Sequence, residues 1–317
     1  MSLFLPPESG ERLPVSLLTG FLGSGKTTLL NRLLQHPQMA RTAVVINEFG
    51  EVALDQLFIA RTDGDVTVLA NGCLCCDVQG DLEGVIGTLF GKRSRGEVPG
   101  FDRMLIETTG LADPGPIMQM LLNQPLVVDN FRLDSVVTTV DALHGARALR
   151  EHPEAVKQVA LADRLVLTKT DLVEPSDELL DRLKNLNSSA ERFRAEQGVA
   201  PHQLFGAAPS PIELPEAAHD HLHDIDTFSL LIDEPVQWRA FSAWLNRLKI
   251  KHADELLRVK GIVHIAGEED PVAIHGVHHV FHPPMRMRRG SVTDKRSRIV
   301  FITRGLERDS LETFRND

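Results

Sequence analysis

Val15-Ser16-Leu17-Leu18-Thr19-Gly20-Phe21-Leu22-Gly23-Ser24-Gly25-Lys26-Thr27-Thr28 is the stretch on which the fold turns. It opens as an apolar strand. Gly20 to Thr27 then match the pattern G-x-x-x-x-G-K-[ST], and Thr28 to Gln35 reads as an amphipathic helix. Strand, glycine-rich turn and helix in that order make a phosphate-binding loop. The glycines let backbone N–H groups converge on phosphate oxygens with no Cβ in the way, and the helix adds its positive N-terminal end. Gly20, Gly23, Ser24, Gly25, Lys26, Thr27 and Thr28 are therefore the expected cradle. Lys26 would reach the β- and γ-phosphates, and the Thr27 hydroxyl would bind Mg²⁺.

Outward from the loop, nearly continuous apolar runs recur at 42–46, 66–69, 103–106, 135–140 and 164–167. Runs of that kind are strands buried on both faces. Helical stretches at 81–90 and 177–186 lie between them. Such alternation implies a doubly wound, mostly parallel α/β sheet of the P-loop NTPase type, whose ligands sit at the carboxyl ends of its strands. The first domain is expected over 1–210. Pro209, Pro211 and Pro215 break regular structure, and a His-rich linker follows over 211–226. A smaller α+β domain is expected over 227–317, with strands at 228–232, 256–265, 272–281 and 298–302. Its helices are expected at 236–248 and, briefly, after Asp309.

Two more segments complete a nucleotide site. Arg103-Met104-Leu105-Ile106-Glu107 is an apolar strand ending in an acid, which could hold the Mg²⁺ shell or orient water. Lys26 and Glu107 are thus the expected catalytic residues, with Gly110 in a loop whose N–H meets the γ-phosphate. Thr168-Lys169-Thr170-Asp171 follows another apolar strand. A carboxylate at Asp171 accepts both the N1–H and N2–H₂ of guanine, while Lys169 lays its stem across the base. A site built on such hydrogen bonds rejects a ligand lacking the donors by a factor on the order of 10⁴. GTP is the expected nucleotide.

All three cysteines fall within four residues, Cys73, Cys75 and Cys76. A secreted disulfide framework needs an even set at longer spacings, and adjacent Cys75 and Cys76 would make a strained bridge. Thiolates suit zinc rather than Mg²⁺ or Ca²⁺, and three of them leave tetrahedral zinc one position open for exchange. Glu48 and Glu51, between phosphate loop and cysteines, stand where a switch segment belongs. They are candidates for either metal or for a solvated loop. His219, His221 and His223 alternate along the linker and would share one face of an extended chain, as a weak chelate or as a soluble acidic linker.

The 317-residue chain carries a formal charge of −10, which argues against a general nucleic-acid surface. A local basic stretch, Met285 to Arg304, reads as a solvated strand edge or an anionic-partner surface. No apolar run is long enough to span a bilayer, and the first residues lack the pattern of a signal peptide, so a cytoplasmic location is expected.

Together these motifs resemble the CobW-type family of P-loop GTPases. The resemblance rests on Gly20–Thr28, 47–51, 72–76, 107–114 and 168–171, the His-rich linker, and Leu257-Arg258-Val259-Lys260-Gly261. It implies Mg²⁺-dependent GTP hydrolysis, zinc or cobalt (Co²⁺) at Cys73, Cys75 and Cys76, transfer to a client metalloprotein, and a nucleotide-dependent homodimer. Ile46 departs from it, since some members carry Glu there, so any ligand role at that position is lost. Three readings follow: a GTP-driven metallochaperone, a metal store or sensor with incidental slow hydrolysis, and an NTPase acting on nucleic acid through the basic stretch.

Overall fold

The computed structural model describes residues 12–47, 57–60, 66–69, 82–206, 218–220, 224–287, 290, 292, 294–306 and 314. Its first sheet holds β1 (Leu13–Gly20), β2 (Thr42–Asn47), β3 (Leu57–Ala60), β4 (Val66–Leu69), β5 (Arg103–Thr108), β6 (Phe131–Asp141), β7 (Arg164–Thr168) and β8 (Glu191–Arg194). The spatial order is β4-β3-β2-β5-β1-β6-β7-β8. From β2 to β8 along that order every pairing is parallel, and β3 and β4 join the edge antiparallel. Around the sheet lie α1 (Lys26–Leu34), α2 (Leu82–Ser94), α3 (Pro114–Asn123), α4 (Pro125–Val128), α5 (Gly145–Glu151), α6 (Pro153–Ala160), α7 (Asp177–Leu186) and α8 (Pro201–Leu204).

The double burial inferred from the apolar runs resolves residue by residue. Leu17, Ala43, Val45, Met104 and Ile106 pack with α2 and α3 on one face. Their neighbours Leu18, Val44 and Leu105 pack with α1 on the other. Successive side chains of a strand point to opposite faces, so an unbroken apolar run is what a sheet covered twice requires. Ile46 belongs to the α1 side, packed as an ordinary apolar residue. Helix α2 runs four residues beyond the expected Phe90, through Gly91. Packing of Phe90 on Phe131, at a centroid distance of 5.4 Å, outweighs the local cost of that glycine.

The second domain is an antiparallel sheet of β9 (Ala218–Asp220), β10 (Ile225–Ile232), β11 (Leu256–Val263), β12 (Val272–Val277), β13 (Val280–Phe281), β14 (Met285–Arg286) and β15 (Ser297–Arg304), with α9 (Trp238–Lys251). Phe241, Trp244, Leu245 and Leu248 of α9 cover one face. The other face turns Ile225, Leu257 and Ile302 into the core formed by α5, α6 and α7 of the first domain. The expected strand over 272–281 is two strands. Val277 pairs with Val280 around His278 and His279, and His278 has φ 50, as a tight two-residue hairpin demands. Within the stretch expected as a linker, β9 pairs with the start of β10. The short helix expected after Asp309 lies outside the described residues.

The sequence Leu257-Arg258-Val259-Lys260 is where the domains meet. A register shift against β15 between Leu256 and Arg258 lets Leu257 and Arg258 both serve the face turned to the first domain. Arg258 and Lys260 close on Asp163, just before β7, at 2.6 and 2.8 Å. Burial alone would raise the Asp163 pKa. The two cations, with hydrogen bonds from Lys260 and the Val136 amide, reverse that and hold it well below the usual carboxylate range.

Candidate functional site

β1 ends at Gly20, and Phe21 to Gly25 turn the chain into α1. Gly23 sits in the turn, and Gly25 caps the helix at φ 86, a conformation that a Cβ would strain. The buried Ser24 hydroxyl shares a 2.7 Å hydrogen bond with Thr139 on β6. Lys26 Nζ donates to the loop's own carbonyls, Gly20 at 2.8 Å and Phe21 at 3.2 Å. Thr27 and Thr28 follow, both exposed at the head of α1.

Glu107 lies on β5 beside β1, paired in register with Leu18. It is 3% exposed, and its Oε1 accepts a 2.8 Å hydrogen bond from the Thr27 hydroxyl. The expected Mg²⁺ ligand and the expected strand-end acid therefore meet. Two hard oxygens at that separation suit Mg²⁺, which takes a hydroxyl and a carboxylate and keeps the rest of its shell for water and phosphate. Gly110 rests on the phosphate loop: a Cβ there would stand 2.6 Å from Leu22 Cδ2 and 2.8 Å from the Leu22 backbone. Only glycine allows two backbones this close.

The Thr168–Asp171 turn is fastened to the same loop, with Thr168 Oγ1 donating to Ser24 O at 2.8 Å. Lys169 is left-handed, φ 59, and its ammonium pairs with Asp141 at the end of β6. Glu196, beyond β8, accepts from the Lys169 amide at 3.0 Å and from the Thr170 hydroxyl. Burial raises the Glu196 pKa, but these hydrogen bonds outweigh it and hold the group ionised below its usual range. Asp171 is exposed.

Several residues of this constellation were not singled out from sequence: Thr139, Asp141, Gln158 and Glu196. Asp141 carried the same signal as Glu107, an acid closing an apolar strand. Gln158 carried none, since one amide in an amphipathic helix resembles any other. A cavity of about 330 Å³ lies behind the phosphate loop, between Phe21, Ser24, Asp141, His152, Gln158 and Lys169. The Phe21 ring stacks on His152 there at 4.5 Å. Gly23, Ser24 and Lys169 of the expected nucleotide cradle line this space, while Lys26, Thr27 and Asp171 do not.

Glu48, Glu51, Cys73, Cys75, Cys76, His221 and His223 lie outside the described residues. His219 is described as backbone only, in β9 opposite Asp226. Among the described residues no cluster of His, Cys, Asp or Glu is arranged to hold a metal. Backbone register still fixes where the cysteine segment starts. Leu69, the last residue of β4, pairs with Leu57, which pairs with Val45, which pairs with Ile106. The chain thus leaves β4 at the carboxyl end of the sheet, three strand spacings or about 14 Å from the strand of Glu107. The Asn47–Glu51 segment leaves from the same end, with Asn47 beside Thr108.

In the basic stretch, Arg286 pairs with Glu268, and Arg296 and Arg298 both pair with Asp294. Among the described residues no helix is long and apolar enough to cross a membrane.

Known proteins share this architecture along its length. The family model described as CobW/HypB/UreG, nucleotide-binding domain, matches residues 14–194, and that of the cobalamin synthesis protein cobW C-terminal domain matches 225–315. Zinc chaperone YjiA of Escherichia coli is 34% identical over 278 residues, covering 85% of this chain and 87% of that protein. Zinc-regulated GTPase metalloprotein activator 1 of Saccharomyces cerevisiae is 29% identical, covering 95% and 82%. The crystal structure of Zn(II)-bound YjiA GTPase from E. coli superposes with a TM-score of 0.73 at 31% identity, covering 95% of this chain and 96% of that one.

Proposed function

Because the chain belongs to the CobW/HypB/UreG family of nucleotide-binding proteins, we propose that it is a GTPase that binds zinc and delivers it to a client metalloprotein. GTP lies along the phosphate loop, where Lys26 exchanges its carbonyl partners for phosphate oxygens. Asp171 reads the guanine edge and the Lys169 stem covers its face. Thr27, with Glu107 beside it, would hold Mg²⁺, which would supply positive charge at the phosphate oxygens. The N–H of Gly110 meets the γ-phosphate. Zinc, the cargo, is taken by Cys73, Cys75 and Cys76 as thiolates, with one position open for Glu48, Glu51 or a client group. Co²⁺ fits the same donors less selectively. His219, His221 and His223 act as a weaker gathering site on the way.

One observation carries the coupling. The segments bearing Asn47–Glu51 and the three cysteines leave the sheet at the end where Glu107 and the phosphate loop stand. A loop that closes on the γ-phosphate and lets go on hydrolysis then differs in its contact with the metal between the two states, which is what differential metal affinity requires. Zinc affinity measured with a non-hydrolysable GTP analogue and with GDP tests this. Different values are expected, and the difference should vanish when Cys73, Cys75 and Cys76 are replaced by serine. Equal values in the intact protein would leave a GTPase without metal coupling. A face-to-face homodimer in the triphosphate state is supported by four exposed leucines around the cleft, Leu22, Leu111, Leu143 and Leu172.

A further inference from the structure

Helix α6 packs beside the loops of the candidate nucleotide site. Gln158 is fully buried, and its Nε2 donates to two carbonyls of the loop after β5, Gly110 at 3.1 Å and Ala112 at 3.0 Å. The preceding residue, Lys157, holds Asp113 at the far end of that loop at 2.7 Å. Asp113 in turn caps α3, accepting from the Gly115 amide at 2.8 Å. One turn of α6 thus grips the loop from Gly110 to Asp113, while Gly110 itself is pressed on Leu22 of the phosphate loop.

The second domain fixes the chain just beyond that last turn of α6. Beyond Ala160 the chain runs through Ala162, whose carbonyl accepts from Lys260 at 3.3 Å, to Asp163, held by Arg258 and Lys260. The same domain also touches the far side of the loop: a Cβ at Gly115 would stand 3.0 Å from His278 Nε2. A buried amide that spends both its N–H groups on one short loop fixes the position of that loop's neighbouring N–H groups. Catalytic geometry is lost steeply with displacement, about a hundredfold in rate for an ångström.

We propose that Gln158 is a positioning residue for GTP hydrolysis, and that α6 is a clamp by which the second domain sets the γ-phosphate loop. The proposal rests on the reading that Gly110 meets the γ-phosphate. GDP does not need this loop. Loss of the clamp therefore acts on the triphosphate and on turnover, and leaves diphosphate binding alone.

The experiment compares full-length wild type with Gln158→Leu, Lys157→Met and Gly110→Ala. It measures kcat and KM for GTP, affinities for GDP and a non-hydrolysable GTP analogue, and thermal midpoint. For Gln158→Leu the expected result is a kcat lower by about ten- to a hundredfold. GDP affinity should stay within about twofold, with analogue affinity falling relative to GDP. Lys157→Met, at a half-exposed site, should show the same pattern more weakly, and it carries the test if Gln158→Leu does not fold. Unchanged kcat in both clamp variants, with Gly110→Ala strongly impaired, would overturn the clamp and leave the Gly110 reading standing. Equal losses for GDP and analogue, in step with the thermal midpoint, would make Gln158 a packing residue and overturn the proposal. An unimpaired Gly110→Ala would overturn both ideas together.

Discussion

Single atoms decide the chemistry at Gly110 and Asp171. Alanine at 110 places a methyl group inside contact distance of Leu22, backbone atoms included, so the two loops must part. GTP turnover should fall by about a hundredfold, because a displacement near an ångström is enough for that loss. Steady-state hydrolysis at saturating GTP checks it, and a rate within a few-fold of wild type would refute it. On the proposed reading of the base, Asp171→Asn keeps the size of the side chain but would replace an acceptor with a donor opposite the guanine N1–H. Discrimination of GTP over xanthosine triphosphate should fall or invert, as competition binding would show. At this scale the sequence was most readable. The phosphate loop, Glu107 and Asp171 follow from pattern plus strand context, because each sits at the end of an apolar run. Gln158, Thr139 and Glu196 did not, since what distinguishes them is a partner more than 25 positions away.

Between elements, the contact to probe is the one joining β11 to the turn before β7. Asp163→Ala would leave Arg258 and Lys260 buried with no carboxylate between them. Stability should drop by about 3–5 kcal/mol, the usual cost of orphaning a buried charge. Urea unfolding followed by far-UV circular dichroism measures it. The same interface gives an acid limit. His275 on β12 is driven down to about 3 by burial and by Arg258, with Lys260 and His282 adding to the shift and Asp163 opposing it. An imidazole in the unfolded chain titrates near 6.5. Above pH 7 both states are neutral and His275 has no pH effect. As pH falls below about 6.5, the unfolded chain takes up a proton that the folded chain refuses. Stability is then lost by about 1.4 kcal/mol per pH unit for this group, levelling off near pH 3. His278 and His282 shift in the same direction, burial being the first cause for each. Asp163, with its pKa held low, keeps its contribution through that window. His275→Leu should flatten the decline of the urea midpoint between pH 6.5 and 4.5. An unchanged slope would mean that another group sets the acid limit. Element reading had a matching strength and weakness. Parallel strands announced themselves as apolar runs, but the hairpin at His278 did not, because its turn lacks the Asn-Gly or Gly-Gly signature.

Across the whole molecule, two domains share one interior. Ile225, Leu257 and Ile302 enter the core of α5, α6 and α7, and Val277 and Val280 enter that of α2 and α3. Unfolding should therefore be a single transition, with fluorescence of Trp238 and Trp244 in the second domain reporting the same midpoint as nucleotide release from the first. Two separated midpoints would contradict a shared core. Such packing was not legible in advance, because composition marks where a domain changes but not which faces of two domains meet. The four leucines around the cleft lead to a second expectation, that the GTP analogue raises the sedimentation coefficient and GDP does not. Leu22→Ser with Leu172→Ser should abolish the rise.

The ammonium of Lys26, seated on two carbonyls of its own turn, has a consequence for how a ligand arrives. It works as a keystone, tying together the arch of main chain around it. A triphosphate then enters by substitution, taking over a cation already gathered to the spot while the vacated carbonyls turn to water. Swapping Lys26 for methionine would remove the keystone along with the charge. The turn itself, and not only its grip on phosphate, should then lose its shape.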